Sequence, residues 1–243
     1  MLKLMLGRSG TGKTHTIYDQ LCDLAWSGEE NLLLLVPEQF SFESERTLLH
    51  KLGPRMAGRV QVLSFTRMAE QVFREVGGLA GRRMDDVTPV LLMSRALEAV
   101  ADRLTLYRRS AADPAAVSTV LAMTAELKQC GVTPLELEHT ASAMEDSTLR
   151  RKTQELALIL GAYEALAAGV TGEAEDDRPR SAYIDPLDDL SLLARRLPDS
   201  RLAVGAHVFV DSFKGFTAPE LQVLRSLMKQ AQSVTVALCA DTI

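Results

Sequence analysis

Short apolar runs of strand length alternate with amphipathic segments over the first part of the chain. Each run is followed by a segment whose apolar residues recur near every 3.6 positions, and Gly77 and Gly78 end the third of these segments. This order predicts a βαβαβα unit with a parallel sheet covered on both faces. The expected elements are strand 2–6, helix 14–26, strand 31–37, helix 43–52, strand 59–65 and helix 66–76.

From residue 85 to about residue 168 only the helical spacing recurs. Thr88 and Pro89 are expected as N-cap and first-turn proline of a helix reaching residue 104. Further helices are expected at 115–131, 133–144 and 148–169, then an exposed polar loop at 171–181 and a short helix at 185–197. Asp185, Asp188 and Asp189 lie near the start of this last helix, and we interpret them as acids that interact favourably with the positive end of the helix dipole.

The strand pattern then returns, with strand 207–211, helix 217–232 and strand 233–240. Because three strands do not complete a sheet, we expect the last two to join the first three. The predicted fold is α/β, a RecA-like P-loop parallel sheet with helices on both faces. We expect this domain at residues 1–84 and 197–243, carrying an inserted all-helical subdomain at 85–196. The strand-edge ending at 241–243 favours an N-terminal fragment of a longer protein.

Composition narrows the class of protein. The 243 residues are 47% hydrophobic and 24% charged, with a net charge of −5. They can build a core, but they lack the basic balance of an autonomous, charge-driven nucleic-acid binder. The three cysteines and four histidines are scattered, which disfavours a disulfide framework or a zinc site and favours a cytoplasmic protein. No apolar run approaches the ~18 residues of a membrane span, so no membrane association is expected.

The sequence GRSGTGKT matches the phosphate-binding motif G-x-x-x-x-G-K-[ST], between a predicted strand and a predicted helix. Its glycines let backbone N–H groups turn toward phosphate oxygens, and the helix N-terminus adds its dipole. Lys13 is expected to reach the β- and γ-phosphates, and Thr14 to hold Mg²⁺. The predicted ATP-binding residues are Gly7, Arg8, Ser9, Gly10, Thr11, Gly12, Lys13 and Thr14.

A second part of this site is predicted at Asp211, which ends an apolar strand and is suited to hold Mg²⁺ together with Thr14. Enzymes that hydrolyse ATP on such a strand usually follow this aspartate with a water-positioning glutamate, but Ser212 stands here. Glu220, three residues after Thr217, is interpreted as half of a capping box rather than as the missing base.

Four stretches, taken together, resemble the AddB family, the B subunits of the AddAB helicase–nucleases of bacterial recombinational repair. They are GRSGTGKT at 7–14, VPEQFSFESERTLL at 36–49, VQVLSFTRMAEQVFREVGG at 60–78 and VFVDSFKGFTAPELQVLRSLM at 208–228. Their order is similar to that of the first RecA-like domain of a superfamily-1 helicase. The helical segment at 85–196 resembles the family only in its helical character.

The resemblance implies a helicase fold that is not the motor. An AddA-like partner would translocate, while this chain would bind ATP, hold the exiting strand and recognise the Chi sequence. Expected partners are therefore AddA in a heterodimer and single- and double-stranded DNA. Family members also carry a C-terminal nuclease domain with an iron–sulfur cluster, which this sequence lacks, so that cofactor would belong to the absent part.

DNA-facing residues are expected in the loops at the carboxyl ends of the strands, where single-stranded DNA would cross. An aromatic ring beside a cation suits base stacking and phosphate neutralisation. The candidates are Gln39, Ser41, Phe65, Thr66, Arg67, Phe213, Lys214 and Phe216. Phe65 and Phe213 are equally compatible with core positions, and Ser41 with a helix cap.

Two other functions fit the same motif. One is a free-standing P-loop enzyme such as a small-molecule kinase, with the helical segment as a lid over its substrate. The other is an active helicase motor, which would need a second RecA-like domain to supply an arginine finger.

Overall fold

The structure is a computed structural model that describes residues 1–77, 81–169 and 182–240. The predicted loop at 171–181, Gly78 of the expected helix stop and the segment 241–243 lie outside these ranges. A search of the described helices finds none that combines the length and the apolarity needed to cross a membrane. The chain divides into two compact units: a sheet unit, Met1–Gly78 with Asp189–Ile243, and a helical unit, Leu79–Asp188.

Seven strands and nine α-helices lie within the described ranges. The strands are β1 (Leu2–Gly7), β2 (Leu32–Leu35), β3 (Val60–Leu63), β4 (Arg82–Arg83), β5 (Tyr183–Ile184), β6 (His207–Val210) and β7 (Ser233–Cys239). The helices are α1 (Lys13–Ser27), α2 (Ser41–Ala57), α3 (Phe65–Val76), α4 (Thr88–Ala99), α5 (Pro114–Gln129), α6 (Pro134–Ala143), α7 (Ser147–Ala167), α8 (Asp189–Arg196) and α9 (Ala218–Gln230).

The sheet unit contains one parallel sheet of five strands in the order β1-β7-β6-β2-β3. The expectation that the two late strands join the first three is therefore confirmed. Strands β2 and β3 are shorter than their apolar runs, because their pairing includes only Leu32–Leu35 and Val60–Leu63. Strand β6 lies between β2 and β7, which places the end of a late strand beside the end of the early strand β2.

Helices cover both faces of this sheet. On the first face, α1 and α2 pack against it through Ile17, Leu21, Leu48 and Leu52, which meet Leu32, Leu34, Val62 and Phe209 of the strands. On the second face, α3, α8 and α9 do the same through Met68, Val72, Leu193, Val223 and Leu227, which meet Leu33, Leu35, Val208, Val210 and Val236. Since most of these side chains are nearly free of solvent contact, hydrophobic burial on both faces is the main stabilising term.

Helix α2 extends beyond its predicted end at residue 52 and contains a kink. Gly53 adopts φ 71° and ψ 167°, a backbone conformation open to glycine, and Pro54 follows it inside the helix. The proline cannot continue the hydrogen-bond ladder, so the last turn restarts after the kink. The predicted end at residue 52 thus coincides with the kink, but the chain resumes a helical path after it.

The helical unit is built around α4, α5 and α7, whose buried residues form one core that includes Met93, Leu97, Ile159 and Tyr163. Helix α4 begins at Thr88, one residue before the expected start, so Thr88 is not its N-cap. The side chain of Asp85 accepts from the Thr88 N–H at 2.8 Å and from the Val87 N–H at 3.2 Å. The two-residue strands β4 and β5, which the sequence did not indicate, pair in parallel within this unit.

A buried ion pair lies inside the helical unit. The side chain of Lys128 is 4% exposed, and its ammonium donates to Asp185 Oδ2 at 2.6 Å and to Asp188 Oδ2 at 2.9 Å. The Tyr163 hydroxyl donates to the same Asp185 oxygen at 3.3 Å. Asp185 also has the expected helix-start role, accepting from the Leu187 N–H at 3.0 Å. Helix-end electrostatics was therefore an incomplete explanation of these aspartates.

Replacing Lys128 with Met should lower the free energy of unfolding by about 3–5 kcal/mol, because it leaves the Asp185 carboxylate buried without its cation. Burial alone would lower the pKa of Lys128, but the carboxylates of Asp188 and Asp185 outweigh it and raise that pKa. The stabilisation should therefore be complete below the unfolded lysine pKa of about 10.4 and be lost as the pH rises through the higher folded value.

Urea denaturation followed by circular dichroism measures both effects. Lys152→Met, an exposed lysine on α7, is the matched control and should change the free energy of unfolding by no more than about 0.5 kcal/mol. Equal losses in the two variants would contradict a structural role for the buried pair.

Candidate functional site

A cleft of about 800 Å³ lies in the sheet unit at the carboxyl edge of the sheet. It is bounded by the loop after β1, the start of α1, one side of α2 and the loop after β6. Of the eight residues in the glycine-rich motif, Ser9, Gly10, Gly12, Lys13 and Thr14 line it. Asp211, from the other end of the sequence, lines it as well. The structure therefore brings together the two parts of the predicted site.

The glycine-rich loop, residues 7–14, has the backbone geometry that its sequence indicates. Gly10 and Gly12 adopt φ 79° and 84°, in the left-handed region where a side chain would be strained. Lys13 folds back over the loop, and its ammonium donates to the carbonyls of Gly7 at 2.8 Å and Arg8 at 2.7 Å. A Cβ on Gly7 would lie 2.7 Å from Thr11 Oγ1, so a side chain at that position would require Thr11 to shift.

Asp211 follows β6 directly and is 4% exposed. Its N–H donates to the Leu35 carbonyl at 3.0 Å, which extends the pairing with β2 by one residue beyond Val210. Ser212 then adopts φ 67°, and its hydroxyl donates to Asp211 Oδ2 at 3.3 Å. A non-glycine residue in this region costs about 1–3 kcal/mol. The turn at Ser212 therefore directs the chain away from the sheet immediately after the carboxylate.

The side of the cleft formed by α1 and α2 contains residues that the sequence did not single out. Tyr18, Glu43, Ser44 and Lys51 all line it. Burial raises the pKa of the Tyr18 phenol, a hydrogen bond with Ser44 opposes the shift, and the carboxylates of Asp211 and Glu43 add to it. The phenol is thus a neutral hydrogen-bonding group at neutral pH. The helical spacing of Glu43, Ser44, Thr47 and Lys51 was a usable signal, since residues three and four apart share one face.

The cations that line the cleft are lysines. Lys13, Lys51 and Lys214 contribute to its surface, and no arginine does so among the described residues that line it. Lys51 is held by Asp19, whose Oδ1 lies 2.9 Å from its ammonium. This hydrogen bond lowers the pKa of Asp19 and raises that of Lys51. The lining of the cleft therefore combines several positive point charges with the buried Asp211 carboxylate.

The predicted DNA-facing aromatic residues pack against one another. Phe65 is 7% exposed, and the centroid of its ring lies 5.4 Å from that of Phe213. Phe213 lies 5.1 Å from Phe216, and both are half-buried against the core of the second sheet face. The ring of Phe65 is thus not open to a base in this conformation. Two aromatic residues that the sequence did not propose, Phe42 at 73% and Phe40 at 37%, are exposed instead.

The polar DNA-facing candidates are placed unequally. Gln39 lies on an exposed turn before α2, and Thr66 is exposed in the first turn of α3. Arg67 is 41% exposed and pairs with Glu45 at 2.6 Å and with Glu38 at 3.6 Å. These two acids compete with any phosphate for the guanidinium.

Ser41 is 1% exposed and begins α2 without capping it. Its hydroxyl has no hydrogen-bond partner among the described residues. The alternative of a helix cap at Ser41 was therefore wrong. The capping box predicted at Thr217 and Glu220 is confirmed, with the Thr217 N–H donating to Glu220 Oε2 at 2.7 Å. This bond accounts for Glu220, which does not line the cleft.

Comparison with known proteins agrees with the resemblance in the sequence. Residues 4–243 match the family of N-terminal AddB domains. The B subunit of an ATP-dependent helicase/deoxyribonuclease of Clostridium tetani is 34% identical over 242 residues, covering 98% of this chain and 20% of the relative. The protein of the same name from Moorella thermoacetica is 36% identical over 247 residues, covering 99% and 20%. The chain thus spans about a fifth of the length of the curated relatives it matches. Because the family match includes nearly every residue, the chain belongs to the AddB family and represents its N-terminal region.

Proposed function

We propose that this chain is the nucleotide-binding N-terminal part of a helicase–nuclease subunit that binds Mg²⁺–ATP without turning it over at motor rates. The observation that carries the proposal is the cleft in which the glycine-rich loop meets the buried Asp211. Glycine-rich loops at helix N-termini bind phosphate through backbone N–H groups, and a strand-end carboxylate holds the accompanying metal. The parallel sheet, with helices on both faces, supports a RecA-like P-loop fold in which residues 79–188 form an inserted helical subdomain.

Phosphate binding would use groups that the loop already positions. The ammonium of Lys13 would exchange its bonds to the Gly7 and Arg8 carbonyls for phosphate oxygens. Backbone N–H groups at Gly10 and Gly12 would complete the contacts, with the positive end of α1 behind them. Tyr18 on α1 and Ser44 on α2 also line the cleft and are available to orient the rest of the nucleotide.

Thr14 and Asp211 fit a Mg²⁺ ion. Hard oxygen ligands are what this ion prefers, and it usually takes only one or two from the protein while phosphates and waters supply the others. Asp211 is buried and lines the cleft directly after β6. When bound, the ion would neutralise charge on the phosphates, and Thr14 and Asp211 would fix its position.

The cleft lacks two groups that drive ATP hydrolysis in related motors. Ser212 occupies the position of the water-orienting glutamate, and none of the described cleft residues is an arginine that could stabilise the transferred phosphoryl group. Glu43 is the acid on the α2 wall that could replace the missing glutamate. Replacing Glu43 therefore tests whether this residue supplies the catalytic acid.

The named relatives are subunits of ATP-dependent helicase/deoxyribonucleases, and we extend that role to a full-length protein containing this chain. It would work in the cytoplasm in double-strand break repair, in a heterodimer with an AddA-like motor. In that complex it would contact single-stranded and double-stranded DNA and recognise the Chi sequence. The loops after β2, β3 and β6 would line the path of the single-stranded DNA. Accessible polar residues along this path would include Gln39, Thr66 and Arg67. The nuclease and its iron–sulfur cluster would lie outside this chain.

Lys13→Ala should weaken Mg²⁺–ATP binding at least about tenfold, because it removes the cation aimed at the β- and γ-phosphates; tenfold is about 1.4 kcal/mol. Isothermal titration calorimetry measures the affinity. Lys229→Ala, an exposed lysine near the far end of α9, is the matched control and should bind as the unmodified chain does. Equal affinity in all three proteins would disprove phosphate binding by this loop.

The chain should show negligible steady-state ATP hydrolysis with or without DNA, since loss of an arginine finger alone lowers such rates by about 10³–10⁵. Glu43→Gln should leave this low rate unchanged. A coupled phosphate-release assay compares the two proteins. Turnover of several per second that Glu43→Gln removes would show that α2 supplies the catalytic acid, and the proposal of an inactive motor would fail.

In the intact heterodimer, Arg67→Ala should weaken single-stranded DNA binding and reduce the log–log salt slope by about 0.7, the value for one phosphate contact. Phe42→Ala should lower affinity by about 1–3 kcal/mol for a lost stacked base, with little change in slope. Phe65→Ala should instead destabilise the fold by about 3–5 kcal/mol because its ring is in the core.

These three variants are compared by melting temperature first and then by DNA affinity at several salt concentrations. Discrimination between a Chi oligonucleotide and a scrambled one provides the specificity readout. Glu70→Ala, an exposed α3 position one turn beyond Arg67, is a control for general effects on this surface. Folded Arg67 and Phe42 variants with unchanged affinity, slope and Chi response would exclude this face from the DNA path.

A further inference from the structure

A surface cavity of about 490 Å³ lies in the helical unit, bounded by α6, α7 and the loop that follows α4. Arg103 of that loop and Arg151 of α7 both line it, and both are exposed. Neither guanidinium forms an ion pair or a hydrogen bond with any residue in the described ranges. Two cations therefore share one cavity, hereafter the arginine cavity, without a carboxylate bound to either.

The buried acid of the arginine cavity, Glu155, is already engaged. It is 3% exposed, and its Oε1 accepts from the Thr105 N–H at 2.9 Å. Its Oε2 accepts from the Leu106 N–H at 2.9 Å and from the Tyr107 N–H at 3.0 Å. Backbone N–H groups that converge on a carboxylate disperse its negative charge. Glu155 therefore fixes the loop and leaves the two guanidinium groups without a counter-charge.

The loop fixed by Glu155 carries further cations. Leu104 is 4% exposed and Tyr107 packs against the core of the helical unit, so the bonded segment is anchored at both ends. Arg108 and Arg109 follow directly and are exposed, and neither has a polar partner within the part of the chain that the structure describes. In a chain with a net charge of −5, this loop is thus a local positive surface.

The rest of the lining consists of neutral donors and one exposed acid. Thr105 contributes a hydroxyl and Gln154 an amide. Glu138 of α6 also lines the cavity, but it is exposed and forms no ion pair with a described residue, so water and salt screen its charge. A guanidinium presents a planar fork of N–H donors that matches two oxygens of a phosphate. Two such forks with neutral donors between them suit a phosphate group.

We propose that Arg103 and Arg151 form a phosphate-binding site in the helical unit, in addition to the glycine-rich loop of the sheet unit. The group recognised is a phosphate with at least two free oxygens. A phosphodiester of a nucleic-acid backbone and the phosphates of a free nucleotide both present such oxygens. Arg108 and Arg109 favour the backbone, because a run of phosphates can contact several cations at once. The site does not depend on nucleotide binding in the cleft.

The anchoring by Glu155 contributes to this role. A mobile loop would lose conformational freedom when its arginines bind a ligand, and that loss would weaken binding. The three N–H bonds to Glu155 and the buried Leu104 fix the loop before any ligand arrives. Arg103 is therefore positioned in advance at the edge of the cavity.

Fluorescence anisotropy tests the proposal on the 243-residue chain, with Lys13→Ala as the common background so that phosphate binding in the cleft does not contribute. The probes are a labelled single-stranded oligonucleotide and a labelled duplex of the same sequence, each at several low salt concentrations. Arg103→Ala combined with Arg151→Ala should weaken binding of the preferred probe at least about tenfold. The log–log salt slope should fall by about 1.4 for a single strand or about 1.8 for a duplex, the values for two phosphate contacts.

Two controls separate a phosphate site from general charge. Arg225→Ala, at an exposed arginine of α9, should leave affinity and slope unchanged. Arg103→Lys combined with Arg151→Lys retains both charges without the planar forks, so it should weaken binding while the slope stays nearly constant. The melting temperature of every variant is measured first and should change little, because both arginines are exposed.

Inorganic pyrophosphate distinguishes the two sources of phosphate. Calorimetric binding of pyrophosphate that the double alanine variant loses, with no response of either oligonucleotide, would assign the site to a free nucleotide. Unchanged binding of all three probes in the folded double variant, an equal loss in Arg225→Ala, or no binding of any probe by the background protein would overturn the proposal. All comparisons are made within one background, so they stand even if Lys13→Ala leaves ATP binding intact and the proposed function of the cleft fails.

Discussion

The pairing of β6 between β2 and β7 is the constraint on which the rest of the sheet unit depends. Val210 is aligned with Leu35 on one side and with Val236 on the other. Asp211 comes next, so this register places a carboxylate from the late part of the chain at the edge where the loop after β1 begins. A slip of one residue would turn every β6 side chain to the other face and remove Asp211 from the cleft.

The cleft built on this register is suited to holding charge rather than to reacting with it. Its positive groups are lysine point charges and backbone N–H groups, and its buried carboxylate lies next to a serine in a left-handed conformation. By our proposal such a site would stabilise a bound triphosphate and its metal, while the planar, bidentate donor that phosphoryl transfer often uses is missing from the described lining. The proposed subunit would on this basis respond to nucleotide, while the proposed partner would do the mechanical work.

Much of the sheet unit could be predicted from the sequence because its signals are local. The glycine-rich loop, the continuous apolar runs and the capping box at Thr217 depend on neighbouring residues and appear where expected. Features that depend on distant packing could not be predicted. The Lys128–Asp185 pair joins two residues far apart in the chain, the burial of Phe65 depends on Phe213, and the edge position of β1 depends on where β7 inserts.

We propose above all that Asp211 holds a metal ion for a nucleotide bound by the glycine-rich loop. Calorimetric titration of ATP into the unmodified chain and Asp211→Asn, each with Mg²⁺ and with a chelator, tests it most directly. Mg²⁺ should strengthen ATP binding to the unmodified chain, Asp211→Asn should lose this strengthening, and the two proteins should bind metal-free ATP alike. Equal strengthening by Mg²⁺ in both folded proteins, or no ATP binding by either, would contradict it.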